Sequence, residues 1–268
     1  MGNFEQEYYE HDGLWAPGAL SHHDDARVRI VTAAIPADVD SLLDVGCGNG
    51  LFLNYLVTSG RSFKRLHGVD RSLTALKYVE VESSQASIES LPFEDQSFDL
   101  VTCMEVIEHL PGDIYATALN ELQRIARKYV LISVPHDQDL SIGQSRCVSC
   151  HCTFNHDYHM RSFDFASMKT LLGSEFVCER VFPVGTERML RPWAARTMER
   201  TKRALGVQPP APPANTMCPM CGYRQPANSG AAGHGVSGEG VPGPARWLAR
   251  QLVIVERPRW VAALYARR

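Results

Sequence analysis

The stretch Leu42-Leu43-Asp44-Val45-Gly46-Cys47-Gly48-Asn49-Gly50 constrains the fold more than any other part of this chain. Leu42, Leu43 and Val45 form a short apolar run of the kind that makes a buried strand. Gly46, Gly48 and Gly50 then remove side chains where a ligand must approach the backbone and where φ turns positive. Asn49 is expected to cap the helix that begins at Leu51. The spacing is Gly-x-Gly-x-Gly. A dinucleotide site uses Gly-x-Gly-x-x-Gly to seat a pyrophosphate on a helix N-terminus. A tighter turn preceded by Asp44 suits a ligand that has no phosphate and carries a positive centre. A second acid, Asp70, ends the next predicted strand 20 residues after Gly50. A carboxylate at that place can accept both ribose hydroxyls of a nucleoside.

Strand and helix signals alternate along the next 90 residues. Strands are expected over 41–46, 65–70, 84–87, 98–104 and 129–134, and helices over 25–35, 50–58, 72–79 and 113–127. Ser72 should cap one of these helices, and Pro111 should mark the start of another. Such alternation implies a parallel sheet covered by helices on both faces, with ligands beyond the carboxyl ends of the strands. A helix around 165–173, a strand around 176–184, a basic helix over 186–207 and a last strand over 260–265 follow.

Asp44–Gly50, Asp70, Leu91-Pro92-Phe93, Phe98-Asp99-Leu100-Val101 and Glu105-Val106-Ile107-Glu108-His109-Leu110 occur in that order. Together they resemble the successive motifs of class I S-adenosylmethionine-dependent methyltransferases of the small-molecule branch. The resemblance covers residues 40–135. It implies an α/β, doubly wound, mainly parallel Rossmann-like sheet whose last strand inserts antiparallel. It also implies S-adenosyl-L-methionine as cofactor, held by Asp44, Gly46, Gly48, Gly50, Asp70, Arg71, Ser87, Ile88 and Glu105. Glu105 falls where the family contacts the methionine part, and Ser87 and Ile88 where it contacts the adenine. Many relatives carry Asp at the Ser87 position, so Glu89 or a backbone group would have to replace that hydrogen bond. Asp44 orients the glycine turn or reaches the amino group through water. Leu91 and Phe93 either wall the adenine or belong to the core.

Methyl transfer to a hydroxyl profits from a base that titrates near neutrality, and histidine is the usual choice. His136 and His109 both follow strands on the expected substrate side and are the candidates. The expected acceptor is a sugar or natural-product hydroxyl. Methylation of nitrogen or carbon, RNA methylation and a non-catalytic cofactor-binding sensor are the alternatives. A nucleic-acid partner is not expected, because the chain lacks an interleaved aromatic and basic surface and an Asn-Pro-Pro-Tyr-type motif.

The eight cysteines divide into two sets. Cys47, Cys103 and Cys178 lie in strand or motif context and read as buried thiols. Cys147-x-x-Cys150 and Cys218-x-x-Cys221 are two knuckles with zinc-ligand spacing, and four thiolates suit a structural zinc with no open position. His151, Cys152, His156 and His159 are rival ligands. Phe154-Asn155, His159 and Arg161-Ser162-Phe163 after the first knuckle are similar to a bacterial methyltransferase subfamily associated with saccharide and secondary-metabolite pathways.

These readings divide the chain into an N-terminal cap segment over 1–40, a cofactor-binding core over 41–185, an insertion over 186–258 and a final core strand over 259–268. The insertion holds the basic helix, the second knuckle and a low-complexity Gly/Pro-rich stretch. The cap carries Phe4, Tyr8, Tyr9 and Trp15, which lie over the cofactor or pack on the domain surface. Charge is uneven: residues 1–185 hold 14 Lys/Arg and 26 Asp/Glu, whereas 186–268 hold 13 and 4. The basic part either meets an anionic partner or docks on the acidic one. The helix over 193–205 is basic and amphipathic, and peripheral contact with an anionic membrane is one expectation for it. No apolar run reaches membrane-span length and no leader pattern opens the sequence, so a cytoplasmic location with reduced thiols is expected.

Overall fold

The computed structural model describes residues 4–15, 22–226 and 253–268. Their contacts group into two compact units. The first comprises Glu5–Gln138, Met160–Gly185 and Pro258–Arg268. The second comprises Asp139–His159 and the described parts of Met1–Phe4 and Thr186–Arg257.

The larger unit is built on a seven-stranded sheet. Its strands are β1 (Ser41–Val45), β2 (Arg65–Asp70), β3 (Glu82–Gln85), β4 (Phe98–Met104), β5 (Ala126–Pro135), β8 (Phe176–Leu190) and β9 (Ile254–Arg267). The order is β3-β2-β1-β4-β5-β9-β8. β1 to β5 pair in parallel. β9 runs antiparallel to β5, from Tyr129↔Ala266 to Pro135↔Trp260. The doubly wound sheet expected from the sequence is therefore present, with its antiparallel last strand. All five residues of β1 are buried, and so are six of seven in β4, as a strand covered on both faces requires.

One face of the sheet packs on α3 (His22–Ala33) and α4 (Leu51–Thr58), through Val28, Val31, Leu42, Phe52, Leu56, Leu100 and Leu131. The other packs on α6 (Gly112–Ile125), through Leu43, Val101, Leu119, Leu122, Ile125 and Ile132. Adjacent residues such as Leu42 and Leu43 thus serve opposite layers, as strand alternation dictates. At the amino end of the sheet, the Asp99 carboxylate accepts from the Asp40 and Ser41 N–H groups and from Arg127. Burial opposes its ionisation, but these donors outweigh burial and hold the carboxyl at about 2.

Several local expectations need correction. Asn49 does not cap α4. The N-cap is Gly50 at φ 77°, with no side-chain hydrogen bond, and the Asn49 amide donates instead to the Trp15 carbonyl at 3.1 Å. The region read as a helix from 186 continues β8 to Leu190 before α8 (Pro192–Ala204) begins. Pairing in the sheet overrides the helix propensity of those residues, and Pro192 supplies the start. The segment read as a helix over 165–173 is shorter, α7 (Phe165–Lys169), capped by Asp164. Ser72 does cap α5 (Leu73–Leu76), accepting from the Ala75 N–H at 3.0 Å. The low-complexity Gly/Pro-rich stretch, read over 226–244, lies outside the described residues from position 227 onward.

The smaller unit holds a hairpin of β6 (Gln144–Arg146) and β7 (Thr153–Asn155), the helix α8 and two cysteine turns. Its apolar centre is Cys147, Phe154 and Cys218, flanked by Cys152, Tyr158 and Tyr223.

Candidate active site

The chain leaves β1 outward to β2 and β3, then returns to β4 on the other side of β1. Ligands of such sheets sit in the crevice beyond the carboxyl ends of the strands where the order reverses. That place is occupied here by the glycine turn after β1, Asp70 at the end of β2 and Glu105 just after β4. Gly46, Gly48 and Gly50 all have positive φ, at 75°, 54° and 77°. A Cβ on Gly46 would lie 2.3 Å from Val106 Cγ2, and one on Gly48 would lie 2.8 Å from Trp15 Cζ3. Both the backbone angles and the space therefore demand glycine.

Asp70 is buried and braces the turn. Its Oδ2 accepts from the Gly48 N–H at 2.8 Å, and its Oδ1 accepts from the Ser72 N–H at 2.9 Å. The Arg71 N–H also acts on this carboxylate, which keeps acceptor capacity for a ligand hydroxyl. Asp44 lies under the turn, with Thr102 donating to its Oδ1 at 2.6 Å. Burial pushes the Asp44 carboxyl up to about 7, against the Thr102 hydrogen bond and the charge of Arg27, while Asp70 adds to the rise. Burial likewise raises Asp70.

Glu105 holds a left-handed backbone, φ 58°, which only a few per cent of non-glycine residues adopt. Its Oε2 accepts from Trp260 Nε1 at 2.6 Å, and its Oε1 lies 3.6 Å from Arg27. The Arg27 guanidinium stands over the Trp260 ring at 5.1 Å. Neither Arg27 nor Trp260 is apparent from the motifs. One comes from α3 and the other from the last strand, and only the sheet order brings them to Glu105.

Glu108 is 1% exposed, and both its oxygens lack a hydrogen-bond partner among the described residues. Burial, with the neighbouring Glu105 charge, pushes its carboxyl far up. His109 Nε2 is 4.0 Å from Glu108 Oε1. His136 follows β5, with its N–H bonded to the Arg259 carbonyl and its ring 4.8 Å from that of Phe165. Ile88 and Leu91 are buried. Ser87 is exposed, and its hydroxyl donates to Glu89.

The N-terminal segment closes over the turn. The Trp15 indole sits against Gly48 and donates to the Tyr9 carbonyl at 2.6 Å. The Tyr9 ring packs on Trp15 and beneath Arg71. Glu10 accepts from the Leu73 and Thr74 N–H groups, both at 3.0 Å.

Residues 43–132 match the methyltransferase domain family. The chain carries a class I S-adenosylmethionine-dependent methyltransferase domain. The chain is 38% identical over 101 residues to an uncharacterized protein of Methanocaldococcus jannaschii, covering 36% of this chain and 41% of the relative. It is 31% identical over 111 residues to the ubiquinone biosynthesis O-methyltransferase of Ralstonia nicotianae, covering 36% and 45%. The chain thus spans less than half the length of these relatives. The fold is similar to that of magnesium protoporphyrin IX methyltransferase from Synechocystis PCC 6803, with a TM-score of 0.52 at 16% identity over 69% of this chain and 94% of that one. The methyltransferase domain accounts for the glycine turn and the three acids. It does not account for the smaller unit.

In the smaller unit, Cys147, Cys150, Cys218 and Cys221 place their sulfurs within 4.8 Å of one another. The two turns are alike. The His151 N–H bonds to the Cys147 carbonyl and the Gly222 N–H to the Cys218 carbonyl. The residue after each second cysteine is left-handed, with φ 62° at His151 and 72° at Gly222. The Tyr158 hydroxyl ties the two together, donating to the Met217 carbonyl and accepting from its N–H. On α8, Ala195 is buried, while Trp193 is 60% exposed and Leu205, just past the helix, is 74% exposed. Arg196 pairs with Asp139 and Lys202 with Glu199, both at 2.7 Å, and Arg200 and Arg203 face solvent. No described helix is long and apolar enough to cross a membrane.

Proposed function

We propose that the chain transfers a methyl group from S-adenosylmethionine to a hydroxyl of a small molecule, with a sugar or natural product as the acceptor class. The observation that carries the reading is the meeting of Asp44, Asp70 and Glu105 around three glycines with positive φ, where the strand order reverses. When bound, the cofactor supplies a methyl group already activated by a sulfonium centre. The protein's task is then to hold donor and acceptor in line. Asp70 would accept the ribose hydroxyls on its remaining lone pairs. Asp44 and Glu105 would supply the negative potential that a sulfonium and an ammonium require. Oxygen is favoured over nitrogen or carbon by the ubiquinone biosynthesis O-methyltransferase named among the relatives. His109 and His136 are the candidate bases for the acceptor proton.

In the smaller unit, Cys147, Cys150, Cys218 and Cys221 would hold one structural zinc. A tetrahedral ion with Zn–S bonds of about 2.3 Å sets its sulfurs about 3.8 Å apart. Cys147 to Cys221 at 3.7 Å and Cys150 to Cys218 at 3.6 Å fit two edges of that tetrahedron. The exposed Trp193 and Leu205 beside Arg200 and Arg203 support peripheral contact of α8 with an anionic lipid surface. Sedimentation with anionic but not zwitterionic vesicles is the expected result, and equal sedimentation with both would overturn that contact.

The enzymatic reading is tested by titrating the demethylated cofactor product into the protein and following product formation over a panel of hydroxylated acceptors. Asp70→Ala should weaken binding by roughly 2–4 kcal/mol, through loss of charge-assisted hydrogen bonds. Unchanged affinity would overturn the ribose assignment. Tight cofactor binding with no turnover on any acceptor class would favour the sensor.

A further inference from the structure

The cysteine cluster contains one thiol too many. Cys152 Sγ lies 3.3 Å from Cys218 Sγ, closer than either of the two cysteine contacts that fit a zinc tetrahedron. Two sulfurs bound to one tetrahedral zinc stand about 3.8 Å apart, so Cys152 at this distance is not a co-ligand with Cys218. It is instead a fifth sulfur placed against a ligand. The surrounding fold holds it there. Cys152 lies one residue before β7, and its carbonyl accepts from the Cys147 N–H at 2.9 Å, which fixes the turn that presents it. Cys150 and Cys221 are exposed, Cys152 is part-exposed and Cys218 is buried, so of the Cys152–Cys218 pair a small solute reaches Cys152 first.

We propose that Cys152 is a peroxide-modification site that releases the metal through a Cys152–Cys218 disulfide. This rests on the zinc reading above for its metal, but not for its thiol pair. The Cys152 thiolate attacks hydrogen peroxide, forming a sulfur–oxygen bond as the oxygen–oxygen bond breaks, and hydroxide leaves. The Cys218 sulfur then attacks the sulfur of that sulfenic acid. The sulfur–sulfur bond forms, a second hydroxide leaves, and both hydroxides are protonated to water. The two sulfurs together lose two electrons and peroxide gains them. Cys218 can no longer donate to the ion. Zinc is left with three thiolates and dissociates, and the tie between the two cysteine turns passes from a metal to a covalent bond. A thiol reductant reverses the change. These residues lie outside the methyltransferase domain at 43–132.

The experiment takes the full chain loaded with zinc and exposes it to hydrogen peroxide beside a chromogenic zinc chelator. Free thiols are then blocked and disulfides mapped by peptide mass spectrometry. The wild-type chain should release one zinc per chain and yield a peptide linking Cys152 to Cys218. Cys152→Ser should retain its zinc before treatment and release it at least about tenfold more slowly, because the resolving pair is gone. Dithiothreitol should restore zinc binding to the oxidised wild type. Release from Cys152→Ser at the wild-type rate would overturn the proposal. So would a mapped disulfide that joins only Cys147 to Cys150 or Cys218 to Cys221. If the chain holds no zinc yet still forms the Cys152–Cys218 link, the zinc reading fails and the modification site stands.

Discussion

Asp44 shows how a single buried acid couples the site to pH. Burial raises its carboxyl to about 7 from a model-peptide value near 4, so the folded chain keeps a proton that the unfolded chain has already released. Its contribution to stability is complete below about pH 4 and is lost as pH rises through about 7. Ionising it inside the fold costs roughly 4 kcal/mol, at 1.36 kcal/mol per pKa unit. Asp44→Asn removes that titration. The thermal midpoint of the wild type should therefore fall more steeply between pH 5 and pH 8 than that of the variant, measured by scanning calorimetry. Parallel profiles would show that Asp44 ionises freely. The raised Asp70 acts in the same direction, so the variant retains part of the slope.

The element whose role the motifs reveal least is the N-terminal segment, α1 (Phe4–Tyr9) and α2 (Asp12–Trp15). Its hydrogen bonds run to Asn49 of the glycine turn and to the start of α5, and its Trp15 ring covers Gly48. These contacts place it against the glycine turn, where it either covers the cofactor or only packs on the domain. Trp15→Ala should leave the sheet intact and weaken binding of the demethylated cofactor product by roughly 1–2 kcal/mol, the scale of removing part of an aromatic contact. Calorimetric titration decides it, and unchanged affinity would assign Trp15 to packing alone. Gly46→Ala should be more severe. The new methyl group would collide with Val106 at a backbone angle alanine rarely takes, so both the melting temperature and cofactor binding should drop.

Across the whole molecule, metal removal should separate the two units in behaviour. The proposed zinc links residues 68 positions apart, Cys150 and Cys218. A covalent tie closing a loop of that length stabilises by roughly 4 kcal/mol in the chain-entropy model. Chelation, or Cys221→Ser, should raise hydrogen exchange in Asp139–His159 and around Cys218, while β1, β2 and β4 stay protected and still bind cofactor. Loss of protection in β1 and β4 to the same extent would mean that the metal supports the entire fold.

The sequence by itself determined the parallel sheet and the Ser72 cap, because each is written in contiguous residues, while the antiparallel last strand followed from the family resemblance. Apolar runs set the strands, and glycines set a turn whose φ values no other residue accepts as cheaply. It also made Asp44, Asp70 and Glu105 conspicuous, since each ends or follows a strand. Cysteine spacing marked two knuckles for the same local reason. Tertiary structure alone decided the rest. Leu190 belongs to a strand because β8 has a partner to pair with, although its own stretch reads as helix. Asn49 gives up capping because the Trp15 carbonyl, 34 residues earlier, lies within reach. Arg27 and Trp260 reach Glu105 only because α3 packs on the sheet and β9 lies next to β5, one strand away from β4. Cys152 reads in the sequence as one rival ligand among several, and only the folded turn places its sulfur against Cys218. Local rules act over one turn or one strand, whereas these contacts join residues whose separation along the chain carries no signal.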